Sequence, residues 1–232
     1  MIVVITGGSR GLGRSIAEAF AREGNTILLC ARNEVDLYHT VEYLQTNYPT
    51  SLIKGLPSDL SKREDIKQFS DWCLSNGTPD IVVNNAGSFI PGSVYNEPEG
   101  ALEELLQANL LSAYHLTRAL LPDMMKARRG HIFTLCSIAS LKAYANGGAY
   151  SISKFALAGF TKNLREEMKP HNIKVTGIYP GAAYTDSWKE SGIEETRFMQ
   201  PSDIAEMVLA ATRLSPSACV EEIVLRPLPG DI

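Results

Sequence analysis

Short apolar runs alternate with long amphipathic stretches along this whole chain, and this alternation constrains its fold more than any other feature. Seven runs are predicted as strands: Ile2–Thr6, Thr26–Ala31, Ser51–Leu56, Asp80–Asn84, His131–Cys136, Ile173–Tyr179 and Glu221–Arg226. Most of these runs are continuously apolar. Continuous apolar runs are typical of parallel strands that are buried on both faces of a sheet.

The stretches between the strands are predicted as helices: Gly11–Glu23, Asn33–Tyr48, Lys62–Ser75, Glu99–Ala127, Ala149–Met168 and Ser202–Leu214. Alternating strands and helices with right-handed crossovers give a parallel sheet covered by helices on both faces. No internal repeat or linker interrupts the 232 residues. We therefore predict one α/β domain, a doubly wound Rossmann fold with a mostly seven-stranded parallel sheet.

Composition and charge exclude several classes of protein. The net charge of −4 differs from the clustered positive charge of nucleic-acid-binding surfaces. No apolar run reaches the roughly 18 residues of a membrane span, and the first strand begins at Ile2, which leaves no room for a targeting peptide. The four cysteines have neither zinc-site nor disulfide-framework spacing. We expect a cytoplasmic protein without metal, nucleic-acid or membrane binding.

One short basic run, Lys126 to Arg129, ends a predicted helix. Cations at that end suit the negative end of the helix dipole, which is the interpretation we prefer. A binding site for a phosphate or a carrier protein is the alternative.

The stretch from Pro180 to Gln200 breaks the strand–helix rhythm. Open α/β sheets bind ligands at the carboxyl ends of their strands, and long irregular connections there are often functional. We predict a substrate lid at about 181–200. An ordinary connection with a short helix around Asp186–Glu195 is the alternative.

The first strand runs directly into a glycine-rich segment, Thr6-Gly7-Gly8-Ser9-Arg10-Gly11-Leu12-Gly13, and a predicted helix follows it. Glycines at such a turn let the backbone approach a pyrophosphate at the N-terminus of the helix. The spacing T-G-x-x-x-G-x-G differs from the plain G-x-G-x-x-G fingerprint. Its position between a strand and a helix predicts a dinucleotide site.

The end of the second strand indicates which dinucleotide is bound. Arg32 stands where an NAD site usually has an acidic residue, and Arg10 lies within the glycine segment. Two guanidinium groups can hold a 2′-phosphate through paired hydrogen bonds. Glu34 and Asp36 follow too late and are typical acids of a first helical turn. The sequence therefore predicts NADP(H).

Tyr150 and Lys154 are four residues apart at the start of a predicted helix, so they share one helical face. A nearby ammonium group favours the phenolate and lowers the pKa of a tyrosine, which can then exchange a proton with a substrate oxygen. Ser137 follows the fifth strand, where its hydroxyl could bind the same oxygen. Alone, a tyrosine and a lysine at this spacing are common and usually belong to an ordinary surface helix.

At this point the sequence resembles the short-chain dehydrogenase/reductase family over essentially its whole length. The resemblance is carried by these residues: Thr6–Gly13, Asp59-Leu60, Asn84-Asn85-Ala86-Gly87, Asn109, Ser137, Tyr150-x-x-x-Lys154 and Pro180-Gly181 with Thr185. It implies that Tyr150 is the acid/base, that Ser137 orients the carbonyl and that Lys154 binds the nicotinamide ribose. It also implies that Asn109 holds a water molecule in a proton relay.

The resemblance implies a set of cofactor-binding residues as well: Gly7, Ser9, Arg10, Gly11, Leu12, Gly13, Arg32, Asp59, Leu60, Asn85, Ala86, Gly87, Tyr150, Lys154, Pro180, Gly181 and Thr185. Asp59 would contact the adenine, Asn85 the cofactor above the fourth strand and Thr185 the nicotinamide amide. Taken singly, Asn85–Gly87 could end a strand, Asp59 could cap a helix, and Asn109 could be an incidental polar residue.

Two features point to a branch of the family. Many members that reduce acyl-carrier substrates end in a glycine-rich segment, whereas this chain ends Val220–Ile232 without one. That ending, together with Tyr179–Trp188, resembles bacterial sepiapterin-reductase-type members more than 3-oxoacyl-carrier-protein reductases. The family resemblance further suggests a homodimer or homotetramer formed through the helices Glu99–Ala127 and Ala149–Met168.

Substrate contacts are predicted at Phe89, Tyr144, Tyr184 and Trp188, in a pocket with further walls at Ile90, Ala139, Ala182, Phe198 and Met199. Aromatic walls with few charges suit a small neutral carbonyl compound: a ketone, a diketone or a pterin-like molecule. The same side chains could instead anchor the lid. The alternatives for function are a 3-oxoacyl thioester reductase, a sugar or polyol dehydrogenase, and a non-catalytic NADP-binding regulator.

Overall fold

A computed structural model of the chain describes residues 1–188 and 192–231. Over these residues it forms one parallel sheet of seven strands: β1 Ile2–Thr6, β2 Thr26–Ala31, β3 Leu52–Pro57, β4 Ile81–Asn84, β5 Gly130–Leu135, β6 Ile173–Pro180 and β7 Glu222–Leu225. Their order is β3-β2-β1-β4-β5-β6-β7, and every pairing is parallel. The predicted strands are confirmed with ends shifted by at most one residue.

Helices cover both faces of the sheet: α1 Gly11–Ala21, α2 Glu34–Asn47, α3 Arg63–Ser75, α4 Ala101–Leu106, α5 Ser112–Ala127, α6 Gly148–Met168 and α7 Pro201–Thr212. Helices α1, α2 and α7 bury their apolar sides on one face, and α3, α5 and α6 bury theirs on the other. The predicted doubly wound Rossmann domain is confirmed. None of the described helices is both long and apolar enough to span a bilayer.

Strand β1 explains why the strands are continuously apolar. Val3 and Ile5 point into the core under α1 and α2, while Val4 points into the opposite core. All three side chains are fully buried. A strand with helices on both faces has no solvent side, so an alternating pattern would leave polar groups in a core.

The predicted helix Glu99–Ala127 is not continuous. Helix α4 is followed by a π-helical turn, Gln107–Leu111, before α5 begins at Ser112. The expectation of one helix is wrong here because the apolar pattern passes through the turn without a glycine or proline to mark it. The π turn contains the buried Asn109, and such turns are frequent at functional sites.

The basic run at the end of α5 has structural partners. The helix ends at Ala127, and Arg128 adopts a left-handed φ of 52° and donates a hydrogen bond to the Pro170 carbonyl. Arg129 binds Asp80 at 3.0 Å, and Asp80 also accepts the Ile2 amide. These contacts support the structural interpretation of this run over a carrier-protein site.

The sheet changes winding direction between β1 and β4. The chain leaves β1 towards β2 and β3 on one side, and β4 leads to β5, β6 and β7 on the other. The loops after β1 and β4 therefore diverge and open a crevice at the carboxyl ends of these strands, which is where doubly wound sheets bind ligands.

The predicted lid follows β6. Its described residues contain two short 3₁₀ turns, Asp186–Trp188 and Glu195–Arg197, and residues 189–191 lie outside the described part. The short helix considered around Asp186–Glu195 includes those three residues, and residues 192–194 are not helical. Ala183 pairs with Met199 in an isolated bridge, which ties the two ends of the segment together.

Candidate active site

The glycine segment after β1 makes the turn that the sequence predicts. Gly7 and Gly11 have φ angles of 64° and 54°, a region that favours glycine. A Cβ atom on Gly13 would lie 2.5 Å from Asn85 Nδ2 and even closer to the Gly7 carbonyl oxygen. Glycine at position 13 therefore lets α1 start directly against the loop, with its N-terminus at the crevice.

Hydrogen bonds across the crevice fasten this loop to the end of β4. The Thr6 hydroxyl oxygen accepts the amides of Asn85 and Ala86 at 3.0 and 2.9 Å. The Asn85 side chain donates to the carbonyls of Thr6 and Gly7 at 2.8 and 3.1 Å. Asn85 therefore shapes the predicted cofactor loop, beyond merely ending a strand.

A polar cavity of about 510 Å³ lies beside the glycine segment and is lined by Ser9, Arg10, Gly11, Arg14, Asp36, His39, Thr40 and Asp186. Arg10 is one wall and lies 3.9 Å from the Asp186 carboxylate, so the segment after β6 reaches over the loop. Sequence reasoning missed Arg14 and His39. The sequence could have indicated Arg14, because a residue one helical turn beyond Arg10 lies on the same side of the helix.

Arg32, the other predicted 2′-phosphate ligand, is outside that set of lining residues and acts on Asp59. Burial alone would raise the pKa of Asp59, but hydrogen bonds from Ser61 and the charges of Arg32 and Lys62 hold it below its ordinary value. Asp59 accepts the Ser61 amide and hydroxyl at 3.1 and 2.8 Å, so it also shapes the turn before α3. The Leu60 side chain is buried in the core, which leaves its backbone for a cofactor.

The predicted acid/base Tyr150 and the predicted carbonyl-orienting Ser137 lie together at the carboxyl end of β5. Ser137 follows that strand closely, and Tyr150 lies in the first turn of α6. Burial raises the pKa of Tyr150, a hydrogen bond with Ser137 lowers it, and the nearby Cys136 raises it further; the net direction is upward. The Ser137 hydroxyl also accepts the Ala139 amide at 3.1 Å, which fixes its position.

Lys154 is buried one turn further along α6. Its ammonium donates to the Leu135 carbonyl at 2.8 Å and lies 5.9 Å from the centre of the Tyr150 ring. Burial lowers the pKa of Lys154 to about 8, partly opposed by Cys136. The net shift of the Tyr150 pKa is upward because burial of the phenol dominates, and the expected lowering of that pKa by Lys154 stays a prediction.

Asn109 is fully buried beside these residues. Its side-chain oxygen accepts the Ser88 amide at 2.7 Å, and its nitrogen donates to the Ser88 carbonyl and the Ser153 hydroxyl at 3.1 and 2.9 Å. A Cβ on Gly87 would meet Asn109 at 2.7 Å and Lys154 Nζ at 3.8 Å. Asn109 therefore joins the loop after β4 to α6, and a relay water at Asn109 stays a prediction.

Two predicted substrate residues lie next to Tyr150. The Phe89 ring contacts the Tyr150 ring, with centroids 4.8 Å apart. Burial, together with Tyr150, raises the pKa of Tyr144. Both Phe89 and Tyr144 are also open to solvent on one side.

The aromatic residues of the predicted lid pack on one another. Phe198 and Met199 are buried and also line a cavity of about 520 Å³ beside β7, so their role as walls of a substrate pocket stays a prediction. The Tyr184 and Trp188 rings lie 5.7 and 5.2 Å from the Phe198 ring. Their role in substrate binding stays a prediction.

The predicted lid starts close to the glycine segment. The Gly181 amide, just after Pro180, donates to the Leu225 carbonyl at 2.8 Å and so fixes the end of β6 to β7. The Thr185 methyl group would lie 3.4 Å from a Cβ on Gly11. Thr185 is therefore placed where it could reach a cofactor.

Comparison with known proteins identifies the family. The model of the short chain dehydrogenase family matches residues 1–196, most of the chain. The chain belongs to the short-chain dehydrogenase family. The family resemblance of the sequence is thereby confirmed, and this short-chain dehydrogenase is an oxidoreductase.

Relatives of this short-chain dehydrogenase have different substrates. A sepiapterin reductase of Chlorobaculum tepidum is 32% identical over 240 residues, covering 100% of this chain and 98% of its own. An alcohol dehydrogenase of the archaeon Thermococcus sibiricus, solved with 5-hydroxy-NADP, has a TM-score of 0.90 at 28% identity, with 98% and 96% of the two chains covered. The L-sorbose reductase of Gluconobacter frateurii, solved with NADPH and L-sorbose, has a TM-score of 0.90 at 25% identity over 97% and 95%.

Proposed function

We propose that this short-chain dehydrogenase uses NADP(H) to interconvert a small carbonyl compound, such as a ketone, a diketone or a pterin-like molecule, with its alcohol. The observation that carries the proposal is the arrangement at the carboxyl end of β5, where Tyr150 lies beside Ser137, the buried Lys154 and the half-open Phe89. Two hydroxyl groups on a single substrate oxygen, beside a buried cation, suit proton transfer to a carbonyl.

The residues around the crevice fit a dinucleotide. Gly7, Gly11 and Gly13 form a turn that a Cβ on Gly13 would fill, and α1 directs its N-terminus at that turn. Arg10 borders the adjoining polar cavity and would hold a 2′-phosphate. Lys154 would bind the nicotinamide ribose, and Thr185 the nicotinamide amide. When bound, the reduced cofactor supplies the hydride that adds to the carbonyl carbon.

The side chains supply the proton and hold the substrate. The Ser137 hydroxyl donates to the carbonyl oxygen and fixes its direction. The Tyr150 hydroxyl transfers its proton to the same oxygen, which becomes the alcohol. Lys154, with a pKa lowered to about 8 by burial, stabilises the phenolate that Tyr150 leaves behind. In the oxidative direction the Tyr150 phenolate accepts the alcohol proton.

Phe89 and Tyr144 favour a flat, neutral substrate. Both rings adjoin Tyr150 and are also exposed, so they can contact a bound molecule. Similarity to a sepiapterin reductase supports a pterin-like carbonyl. Similarity to L-sorbose reductase supports a ketose or polyol as the second candidate. The segment 181–200 would close over the substrate as a lid.

The test is a panel of carbonyl compounds with the purified protein. NADPH consumption is followed by absorbance with sepiapterin, a simple diketone, L-sorbose and a 3-oxoacyl thioester. The proposal predicts the highest kcat/KM for sepiapterin or the diketone. A preference for L-sorbose would favour the second candidate, and a preference for the thioester, or no turnover despite NADPH binding, would contradict both.

We also propose that the protein assembles as a homodimer or homotetramer through α5 and α6. Three large apolar or aromatic side chains, Tyr114, Ile152 and Phe155, are exposed on these helices. Light scattering after gel filtration would measure the mass. A Phe155→Glu variant is expected to dissociate the assembly, and a monomeric wild type would contradict the proposal.

A further inference from the structure

The first turn of α6 has an unusual cap. Gly147 precedes the helix and offers no side-chain cap, and the turn contains no acidic residue. The first amides of a helix need acceptors, which neighbouring side chains usually supply. Here the Ala149 amide donates to Glu97 Oε2 at 2.8 Å, a carboxylate from 52 residues earlier in the chain. Glu97 therefore does the work of an N-cap from a distant loop.

The backbone is built to admit this carboxylate. Gly148 has a φ of 29°, and a Cβ there would lie 2.5 Å from the Gly92 carbonyl oxygen and closer still to Glu97 Oε2. A Cβ on Gly92 would lie 2.7 Å from the Cβ of Glu97. Glycines at both positions let the loop and the helix approach closely enough for the hydrogen bond.

Further contacts hold the loop of residues 88–97 against the approach to α6. The Ser93 hydroxyl donates to Asn146 Oδ1 at 2.8 Å, and the Gly92 amide donates to the Asn146 carbonyl at 3.3 Å. The Ser93 carbonyl accepts the Glu97 amide at 2.9 Å, which closes a turn before the carboxylate. The loop is therefore fastened at its Glu97 end.

The other end of the same loop lies at the candidate active site. Ser88 is held by Asn109, and Phe89 contacts the Tyr150 ring. Tyr150 follows Ala149 directly, so the capped amide and the proposed acid belong to one helical turn. A shift of either end of the loop would therefore displace the phenol of Tyr150.

From this geometry we propose that Glu97 is a positioning residue for Tyr150. It accepts the Ala149 amide, holds the first turn of α6 in place and keeps the Phe89 side of the loop against the phenol. Glu97 acts through the backbone and does not touch the substrate. The inference rests on the proposed function, because Tyr150 is the residue it positions.

The test compares Glu97→Ala, Glu97→Gln and the matched control Glu99→Ala, which removes an exposed carboxylate from the same segment. Glu97→Ala is expected to lower kcat about tenfold or more, because small misplacements of an acid are costly, and to change the NADPH Kd less than about twofold. Glu97→Gln keeps an acceptor oxygen and is expected to recover most of the kcat. Glu99→Ala is expected to match the wild type.

Three results would overturn the proposal. They are wild-type kcat in Glu97→Ala, a Glu97→Gln variant as impaired as Glu97→Ala, and a parallel loss of kcat and NADPH affinity. The second would mean that the charge matters rather than the hydrogen bond, and the third would mean general damage to the fold.

Hydrogen exchange separates this inference from the proposed function. The Ala149 and Tyr150 amides are expected to exchange faster in Glu97→Ala than in the wild type, and at near wild-type rates in Glu97→Gln. If the wild type reduces no carbonyl compound, the proposed function fails while this pattern still supports the cap. Equal exchange in all variants would overturn the cap itself.

Discussion

The rings of Phe89 and Tyr150 meet almost at right angles, with planes 88° apart and centroids 4.8 Å apart. Perpendicular packing of this kind is a favoured aromatic geometry. Phe89 is nevertheless 53% exposed, so much of its ring is available to a second molecule. It therefore links the loop after β4, the proposed acid and the proposed substrate.

We predict that Phe89→Ala lowers kcat/KM for the preferred carbonyl compound about tenfold, because both the substrate and the phenol lose an aromatic contact. NADPH affinity should stay near that of the wild type. Steady-state kinetics and a fluorescence titration measure these quantities. Tyr95→Ala is the control, since Tyr95 lies in the same loop and is 88% exposed. Equal kinetics for the two variants would contradict a substrate role for Phe89.

Gly13→Ala is expected to weaken NADPH binding more than tenfold. The added Cβ would displace the Gly7 carbonyl and the Asn85 amide, which shape the proposed pyrophosphate turn. Gly159→Ala is the matched control in α6, where nothing lies within 4 Å of the added atom. That variant should bind NADPH normally and be slightly more stable. Normal NADPH binding by Gly13→Ala would mean that the cofactor does not use this turn.

Cofactor preference tests the two arginines separately. Arg10→Ala should weaken NADPH about tenfold and leave NADH nearly unchanged, since Arg10 borders the polar cavity. Arg32→Asp should weaken NADPH binding more than Arg10→Ala does, because it adds a negative charge near the proposed 2′-phosphate. Arg118→Ala, an exposed arginine on α5, is the control. An unchanged ratio of the two dissociation constants in Arg10→Ala and Arg32→Asp would contradict the NADP(H) assignment.

The lowered pKa of the buried His131 makes the stability of the fold depend on pH. Burial, helped by the charge of Lys174, lowers its pKa from 6.5 to about 3. Protonation therefore favours the unfolded chain, and the stabilisation present above 6.5 is lost as the pH falls towards 3. As the pH falls through this window, the free energy of unfolding of the wild type should decrease by up to about 1.4 kcal/mol per pH unit more than that of His131→Gln. Urea unfolding at several pH values measures the difference, and parallel curves would refute it.

Strand ends and the glycine turn could be predicted because their causes are local. Continuous apolar runs reveal a sheet that is buried on both faces, and Gly7 and Gly11 are required by their backbone angles. The π turn around Asn109 could not be predicted, because its sequence contains no glycine or proline that would mark an interruption of the helix.

Contacts between distant segments were out of reach for similar reasons. Nothing near Glu97 in the sequence indicates that it caps a helix 52 residues away. Phe198 and Met199 are buried, and apolar composition alone cannot tell whether such side chains form the wall of a substrate pocket or only anchor their segment. Helical spacing predicts that Lys154 lies near Tyr150, but it does not reveal the hydrogen bond from the Lys154 ammonium to the Leu135 carbonyl.

The most direct test of the account is a single-turnover comparison of the wild type with Tyr150→Phe, using NADPH and the best carbonyl compound of the panel. The variant removes the phenolic hydroxyl and keeps the ring that packs on Phe89. We predict that hydride transfer falls at least about a thousandfold, within the range attributed to a lost acid, while the NADPH Kd changes less than about twofold. A variant that keeps more than a few per cent of the wild-type rate would contradict Tyr150 as the proton donor.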